Sequence, residues 1–238
     1  KNFKVVNFFI FNYHECSIAY KFLSSLLFPS YCLGCGVSGR YICEKCLKLV
    51  PAANLVCPQC TKSSLGGALH TRCLRVDLDG LFAVWSHQGV VKKALSEIKY
   101  HHSKDVVRDL VDILYKKLPQ DLKGVGRVLV PIPLHRNREN WRGFNQSVEI
   151  GRRLSELTGM DIVEDLLVRT KNTGQQVGRH KSERAQAMNG VFASKENASG
   201  MDILLVDDVW TTGATMRSAA SALKLSGASR VWGVVVAH

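Results

Sequence analysis

No cysteine lies beyond residue 73, although the chain has 238 residues and eight cysteines. No tract is low in complexity and no period repeats, which excludes solenoids and other repeat arrays. Long hydrophobic runs are missing as well. The N-terminal apolar string of Val5, Val6, Phe8, Phe9, Ile10 and Phe11, behind Lys1 and Lys4, is too short to span a bilayer. Asn7, Asn12, His14 and Glu15 break it and no small-residue cleavage site follows. It is therefore expected to be a packed or disordered extension rather than a targeting signal. Negative charge is also scarce: 20 acidic residues stand against 32 Lys and Arg, a net charge of +12. That excess favours a polyanionic partner such as nucleic acid, a nucleotide or an anionic membrane.

Six cysteines are present as Cys-x-x-Cys pairs, Cys32/Cys35, Cys43/Cys46 and Cys57/Cys60, while Cys16 and Cys73 stand alone. Two-residue spacing suits thiolates sharing one metal far better than disulfides, and predicts a reducing, cytoplasmic home. Residues 31–76 are rich in Gly, Ser and short turns. Such a segment buries little apolar surface, so a metal has to supply its stability. In "YCLGCGVSGRYICEKC" the four thiolates at 32, 35, 43 and 46 have the arrangement of a compact zinc ribbon or a pair of knuckles. Closed four-ligand sites are structural, so zinc catalysis is not expected. Cross-bracing, in which the first and third pairs share one ion, is the alternative; spacing leaves the pairing and the number of ions, one or two, open.

Elsewhere the pattern is that of alternating strands and helices. Residues 17–28 place Ala19, Phe22, Leu23 and Leu26 on one helical face before Pro29. "LFAVWS" (81–86) reads as a strand, Val91, Ala94, Leu95 and Ile98 as a helix, and Val107 to Leu118 as a second helix. From residue 127 the order is strand "RVLVPIP", helix near 145–158, strand near 161–168, a polar stretch 169–190, strand "DILLVDD", helix 214–226 and strand "RVWGVVVA". This predicts an α/β fold, a parallel sheet covered on both faces. The expected organisation is an extension and helix (1–30), a zinc-binding module (31–76) and an α/β domain (77–238).

Within "LLVDDVWTTGATM" (204–216) an apolar strand ends at Asp207 and Asp208 and leads through "TTGAT" into a helix. Ligands of open α/β sheets bind beyond the carboxyl ends of the strands, so both acids belong to that rim. Backbone N–H groups of the turn, two hydroxyls and the positive end of a helix would hold a dianionic phosphate. Carboxylates repel phosphate but accept hydrogen bonds from vicinal hydroxyls. A sugar with hydroxyls at one end and a 5′-phosphate at the other satisfies both halves: a ribose 5-phosphate.

The same stretch resembles the phosphoribosyl-pyrophosphate (PRPP) motif of type I phosphoribosyltransferases. "VPIPLHRNRENWRGFNQS" (130–147) and "LVRTKNTGQQVGRHKSERAQAMNGVF" (167–192) are similar to the ComF/ComFC (GntX-like) family, and the resemblance covers roughly residues 22–237. It implies a type I phosphoribosyltransferase fold, a mostly parallel sheet flanked by helices, preceded by a small zinc-ribbon module. Asp207 and Asp208 would bind the ribose hydroxyls, and Thr211, Thr212, Gly213, Ala214 and Thr215 the 5′-phosphate. Pro131, Ile132, Pro133 and Leu134 match the loop that meets pyrophosphate, with Mg²⁺ bridging it and Arg136, Arg138 and Arg142 adding charge as nucleic-acid candidates. Residues 169–190 correspond to a loop that closes over the sugar phosphate, with Arg169, Gln176 and Arg184 at matching positions. Where the family places Cys-x-x-Cys, "CPQCTKSSLGGALHTRC" has His70 and Cys73, so His70 stands as a substituted ligand completing a set with Cys57 and Cys60.

Two departures bear on function. Ala187 stands where the pattern has Asn, and Thr211 stands where purine-using enzymes carry an acidic base, which disfavours purine salvage. The resemblance implies a ComFC-like competence protein handling single-stranded DNA in natural transformation, beside a ComFA-like helicase. The alternative is an active phosphoribosyltransferase that passes phosphoribose from PRPP to an amine or base and releases pyrophosphate. Tyr100, Trp141 and Phe144 are candidates to stack on bases, and Trp210 to cover the ribose or a base.

Overall fold

In this computed structural model the described residues are 29–73, 77–101, 103–124, 126–170 and 190–238, with backbone alone for Arg136 to Arg138. The N-terminal string, Cys16, the helix expected over 17–28, Gln176, Arg184 and Ala187 lie outside them.

A five-stranded sheet organises the chain, in the order β1 (Gly80–Trp85), β7 (Arg230–Ala237), β6 (Asp202–Val209), β2 (Arg127–Pro131) and β3 (Asp161–Ile162). Every pairing in it is parallel. β6 is central, and Ile203, Leu204, Leu205 and Val206 are all 0% exposed. A strand covered on both faces has no reason to alternate apolar with polar, which is why it reads as one continuous apolar run.

The two-residue period of the strands divides the core. Leu204 and Val206 face one side with Val234 and Val236, against α2 (Gly89–His101), α3 (Lys104–Lys117) and α5 (Gln146–Thr158). Ile203 and Leu205 face the other with Val231 and Val235, against α6 (Ala214–Leu225). Gly233 lets α6 sit close: a Cβ there would lie 2.2 Å from Met216 Sδ. α2 buries Val90, Val91, Ala94, Leu95 and Ile98, the spacing of one helical face. α3 starts at Ser103, whose Oγ accepts from Val106 N, and α5 starts at Asn145, whose side chain accepts from Ser147 N.

The stretch expected as one strand near 161–168 divides instead. Asp161–Ile162 joins the main sheet, whereas β4 (Leu167–Arg169) pairs antiparallel with β5 (Phe192–Ser194) as a separate two-stranded sheet. Two short helices, α1 (Glu44–Lys48) and α4 (Arg136–Arg142), and two 3-10 turns at Leu65–Gly67 and Gln120–Lys123 are the remaining elements among the described residues.

The cysteine-rich region covers the open edge of β1. Ala52 bridges Trp85 and Ala68 bridges Gly80, both antiparallel, while Ala53 N donates to Val84 O and Leu69 N to Asp79 O, each at 3.0 Å. An unpaired edge strand invites association with other chains, and this edge is occupied from within. Cys32, Ile42, Cys43 and Val50 are buried in the same apolar cluster as α2 and α3. No helix among the described residues is long and apolar enough to cross a membrane.

Candidate functional site

Polar side chains are costly to bury, so where they are buried is informative. Asn145, Gln146, Ser147 and Asp208 are the buried polar or charged residues among those described, and all sit where the carboxyl end of β6 meets the start of α5. Ser147 Oγ donates to Asp207 Oδ1 at 2.9 Å, and so does Asp208 N, at 2.9 Å. Asn145 Nδ2 donates to the Ile132 carbonyl at 3.0 Å, and Ile132 N to Val206 O at 3.0 Å. The start of α5 therefore fixes both the acidic pair and the Pro131–Leu134 loop, which the parallel register brings side by side: Pro131 pairs with Val206, one residue before Asp207.

Asp208 is ion-paired with Lys99 Nζ from the last turn of α2. Burial, followed by the neighbouring charge of Asp208, pushes the Asp207 carboxyl up from the usual carboxylate range to about 7, against the lowering effect of its hydrogen bonds from Asp208 N and Ser147. A carboxyl poised near neutrality at a strand's end is a mark of functional sites.

The 211–215 turn leads into α6, which starts at Ala214. Thr211 is exposed, Thr212 and Thr215 are half-buried, and Thr212 Oγ1 accepts from Ala214 N at 3.4 Å. Gly213 has φ 75°, and a Cβ on it would meet the Trp210 ring at 2.1 Å. Trp210 is 3% exposed beneath that turn, so it is a floor for the loop; the expectation that it covers a sugar or base is corrected.

Pro133, Leu134 and Arg169 line one cleft of about 580 Å³, shared with Asn145 and Thr170, and the Arg169 guanidinium lies 5.5 Å from the Phe192 ring centroid. Arg142 lines an adjoining cleft of about 390 Å³ with Lys104, Phe144 and Arg152, and its Nη1 donates to Gln146 Oε1 at 3.2 Å. Trp141 is 69% exposed and meets Tyr100, 56% exposed, edge to face with centroids 6.4 Å apart. The side chains of Arg136 and Arg138 lie outside the described residues.

The cysteines fall into two groups, Cys32, Cys35, Cys43 and Cys46, and Cys57, Cys60, His70 and Cys73, each with its donor atoms within 4.8 Å of one another. Consecutive pairs share a cluster, so the cross-braced alternative does not hold. Cys35 Sγ lies 3.6 Å from Cys43 Sγ, and Cys57 Sγ 3.8 Å from Cys73 Sγ. Tetrahedral zinc with thiolates at about 2.3 Å requires sulfurs about 3.8 Å apart, so both groups fit a zinc ion. His70 Nδ1 is 3.3 Å from Cys60 Sγ, and its Nε2 is 3.1 Å from the Ser63 carbonyl, which fixes the ring with Nδ1 toward the cluster. Burial opposes ionisation of Cys32 and Cys57, but backbone N–H groups outweigh it and lower both thiols to about 6. Hydrogen bonding with Cys35 first, then burial, pushes Cys46 up to about 12, and burial first, then contact with Cys57, pushes Cys73 up to about 11. A bound cation would reverse these two rises.

The pairing of Lys99 with Asp208 and the contacts of Asn145 and Ser147 escape sequence reasoning. Asn145 alone carried a local signal, as a capping residue before a helix.

Residues 145–238 match the family model of the phosphoribosyl transferase domain. The chain is 28% identical to competence protein ComFC of Bacillus subtilis over 78% of this chain and 79% of that protein. It is 26% identical to competence protein F of Haemophilus influenzae over 81% of this chain and 87% of that one. It is also 26% identical to the DNA utilization protein YhgH of Salmonella typhimurium, over 87% and 96% respectively. Among solved structures, the glutamine PRPP amidotransferase of B. subtilis aligns with a TM-score of 0.40 at 17% identity, covering 58% of this chain and 30% of that one. The parallel sheet, the matched domain and the two cysteine groups together give a phosphoribosyltransferase-type α/β fold carrying an N-terminal cysteine module that could hold zinc, in a chain similar to the ComF/ComFC proteins.

Proposed function

We propose that this protein is a ComFC-like competence factor whose phosphoribosyltransferase domain binds PRPP and which assists the uptake or handling of single-stranded DNA in natural transformation, with a ComFA-like helicase beside it. The observation that carries the reading is the buried polar cluster around Asp207 and Asp208 at the carboxyl end of β6, followed at once by the threonine turn on α6. Asp207 and Asp208 accept the ribose hydroxyls, residues 211–215 receive the 5′-phosphate, and the Pro131–Leu134 loop meets the pyrophosphate. Mg²⁺ neutralises the pyrophosphate when bound. The names of the relatives, the net charge of +12 and the exposed Tyr100–Trp141 pair support a nucleic-acid partner. Calorimetry with PRPP and Mg²⁺, and fluorescence anisotropy with a short single strand in low salt, test the two halves. Absence of both binding events rejects the proposal.

A second reading, an active transferase, is favoured by the matched domain and by an Asp207 carboxyl held near neutrality. Its test is pyrophosphate release from PRPP across a panel of amines and nucleobases, with Asp207→Asn as the control. DNA binding with no turnover on any acceptor rejects it.

A further inference from the structure

Arg217, in the first turn of α6, joins the cysteine module to the threonine turn. Its Nη2 donates to the Thr212 carbonyl at 2.7 Å, and its Nη1 donates to the Pro58 carbonyl at 3.0 Å. Pro58 lies between Cys57 and Cys60 of the second cysteine group. The guanidinium carbon is 5.4 Å from the Trp210 ring centroid, and a Cβ on Gly213 would come within 2.5 Å of Nη1. The cation thus fills the space under the turn and ties a carbonyl on each side of it. No rotamer of Lys reproduces that fork, because an ammonium lacks two parallel donor arms.

Each end of this link has a reason to be rigid or loose. Cys57 is 0% exposed, its N–H donates to Lys62 O at 2.9 Å, and its carbonyl accepts from Thr61 N at 2.9 Å. Metal bound by Cys57, Cys60, His70 and Cys73 closes that short loop and fixes where the Pro58 carbonyl points. At the other end, the turn has an exposed Thr211 and a left-handed Gly213. A loop of this kind holds a phosphate well only when it is ordered beforehand.

We propose that Arg217 is a positioning residue through which the metal-loaded Cys57–Cys60–His70–Cys73 site orders the 211–215 turn for a sugar 5′-phosphate. The inference rests on the reading of 211–215 as a phosphate cradle. Coupling between two sites is reciprocal, so the phosphate ligand must hold the metal more tightly by the factor by which the metal tightens the ligand.

The test uses the zinc-loaded 238-residue chain with ribose 5-phosphate, and PRPP with Mg²⁺, as probes. Zinc release to a coloured chelator is followed with and without the probe, alongside calorimetric affinity. In the wild type the probe slows release of one zinc ion by about 5-fold or more, within the usual range of such couplings. In Arg217→Met that protection is lost and affinity for both probes falls about tenfold, while zinc still binds; Arg217→Lys recovers only part of each effect. Should Arg217→Met fail to fold, Arg217→Lys alone decides the matter. Wild-type binding of the probes with no effect on zinc release, or undiminished affinity and protection in the Arg217 variants, overturns this inference and leaves the phosphate cradle standing. No binding of either probe to the wild type overturns the cradle itself.

Discussion

Lys99 reaches from the end of α2 to ion-pair with Asp208, a residue only 6% exposed on a strand 109 positions further along the chain. The acid therefore has a cationic partner before any ligand arrives. Removing one partner of a buried pair leaves the other charge uncompensated, so Lys99→Met is expected to cost about 2–4 kcal/mol. Asp208→Asn in the same background should restore part of that loss. Urea denaturation of the four members of the cycle measures the coupling, and a coupling near zero would show that the pair contributes nothing.

Asp207 makes stability and ligand binding depend on pH in opposite directions. Its folded value of about 7 lies above the ordinary 3.8, so the unfolded chain gives up this proton first as pH rises. The contribution of this group to stability is therefore greatest below about 4, and shrinks as pH climbs through about 7. Ligand hydroxyls need the carboxylate as acceptor, so affinity for PRPP should weaken by up to about tenfold per unit below neutrality. Asp207→Asn removes both dependences; melting curves and calorimetry between pH 5 and about 8.5 read them.

Metal removal should affect more than the cysteine module, because Cys32, Ile42, Cys43 and Val50 share a cluster with α2 and α3. The two donor groups predict two zinc ions per chain by elemental analysis. Cys43→Ser should lose one of them and lower the melting temperature. His70→Ala should keep the first ion and bind the second at least about tenfold more weakly.

Trp141 and Tyr100 are exposed, so truncating either should change stability by less than about 0.5 kcal/mol. If they stack on bases, each substitution by alanine weakens single-strand binding by about 1–3 kcal/mol. Anisotropy titrations at constant salt distinguish this from a uniform charge effect.

The sheet was legible from its strands because central strands carry unbroken apolar runs, and "DILLVDD" is such a run. The acidic pair and threonine turn were legible as a unit because they are consecutive residues between a strand and a helix. The β4–β5 pair was not, since two strands of three residues each, separated by 22 positions, leave no periodicity to detect. α4 was hidden because "RNRENWR" has no apolar face to reveal a helix. Lys99 and Arg217 were beyond reach for a different reason: their partners are brought to them by the fold, in Arg217's case across 159 positions. Trp210 misled because an aromatic beside a glycine turn serves equally as its floor.

Calorimetric titration of PRPP with Mg²⁺ into the wild type and into Asp207→Asn/Asp208→Asn tests the central claim most directly. Saturable one-site binding by the wild type, weakened at least a hundredfold in the double variant, is the predicted result. Equal affinity in both proteins, or heat of dilution alone in the wild type, would contradict it.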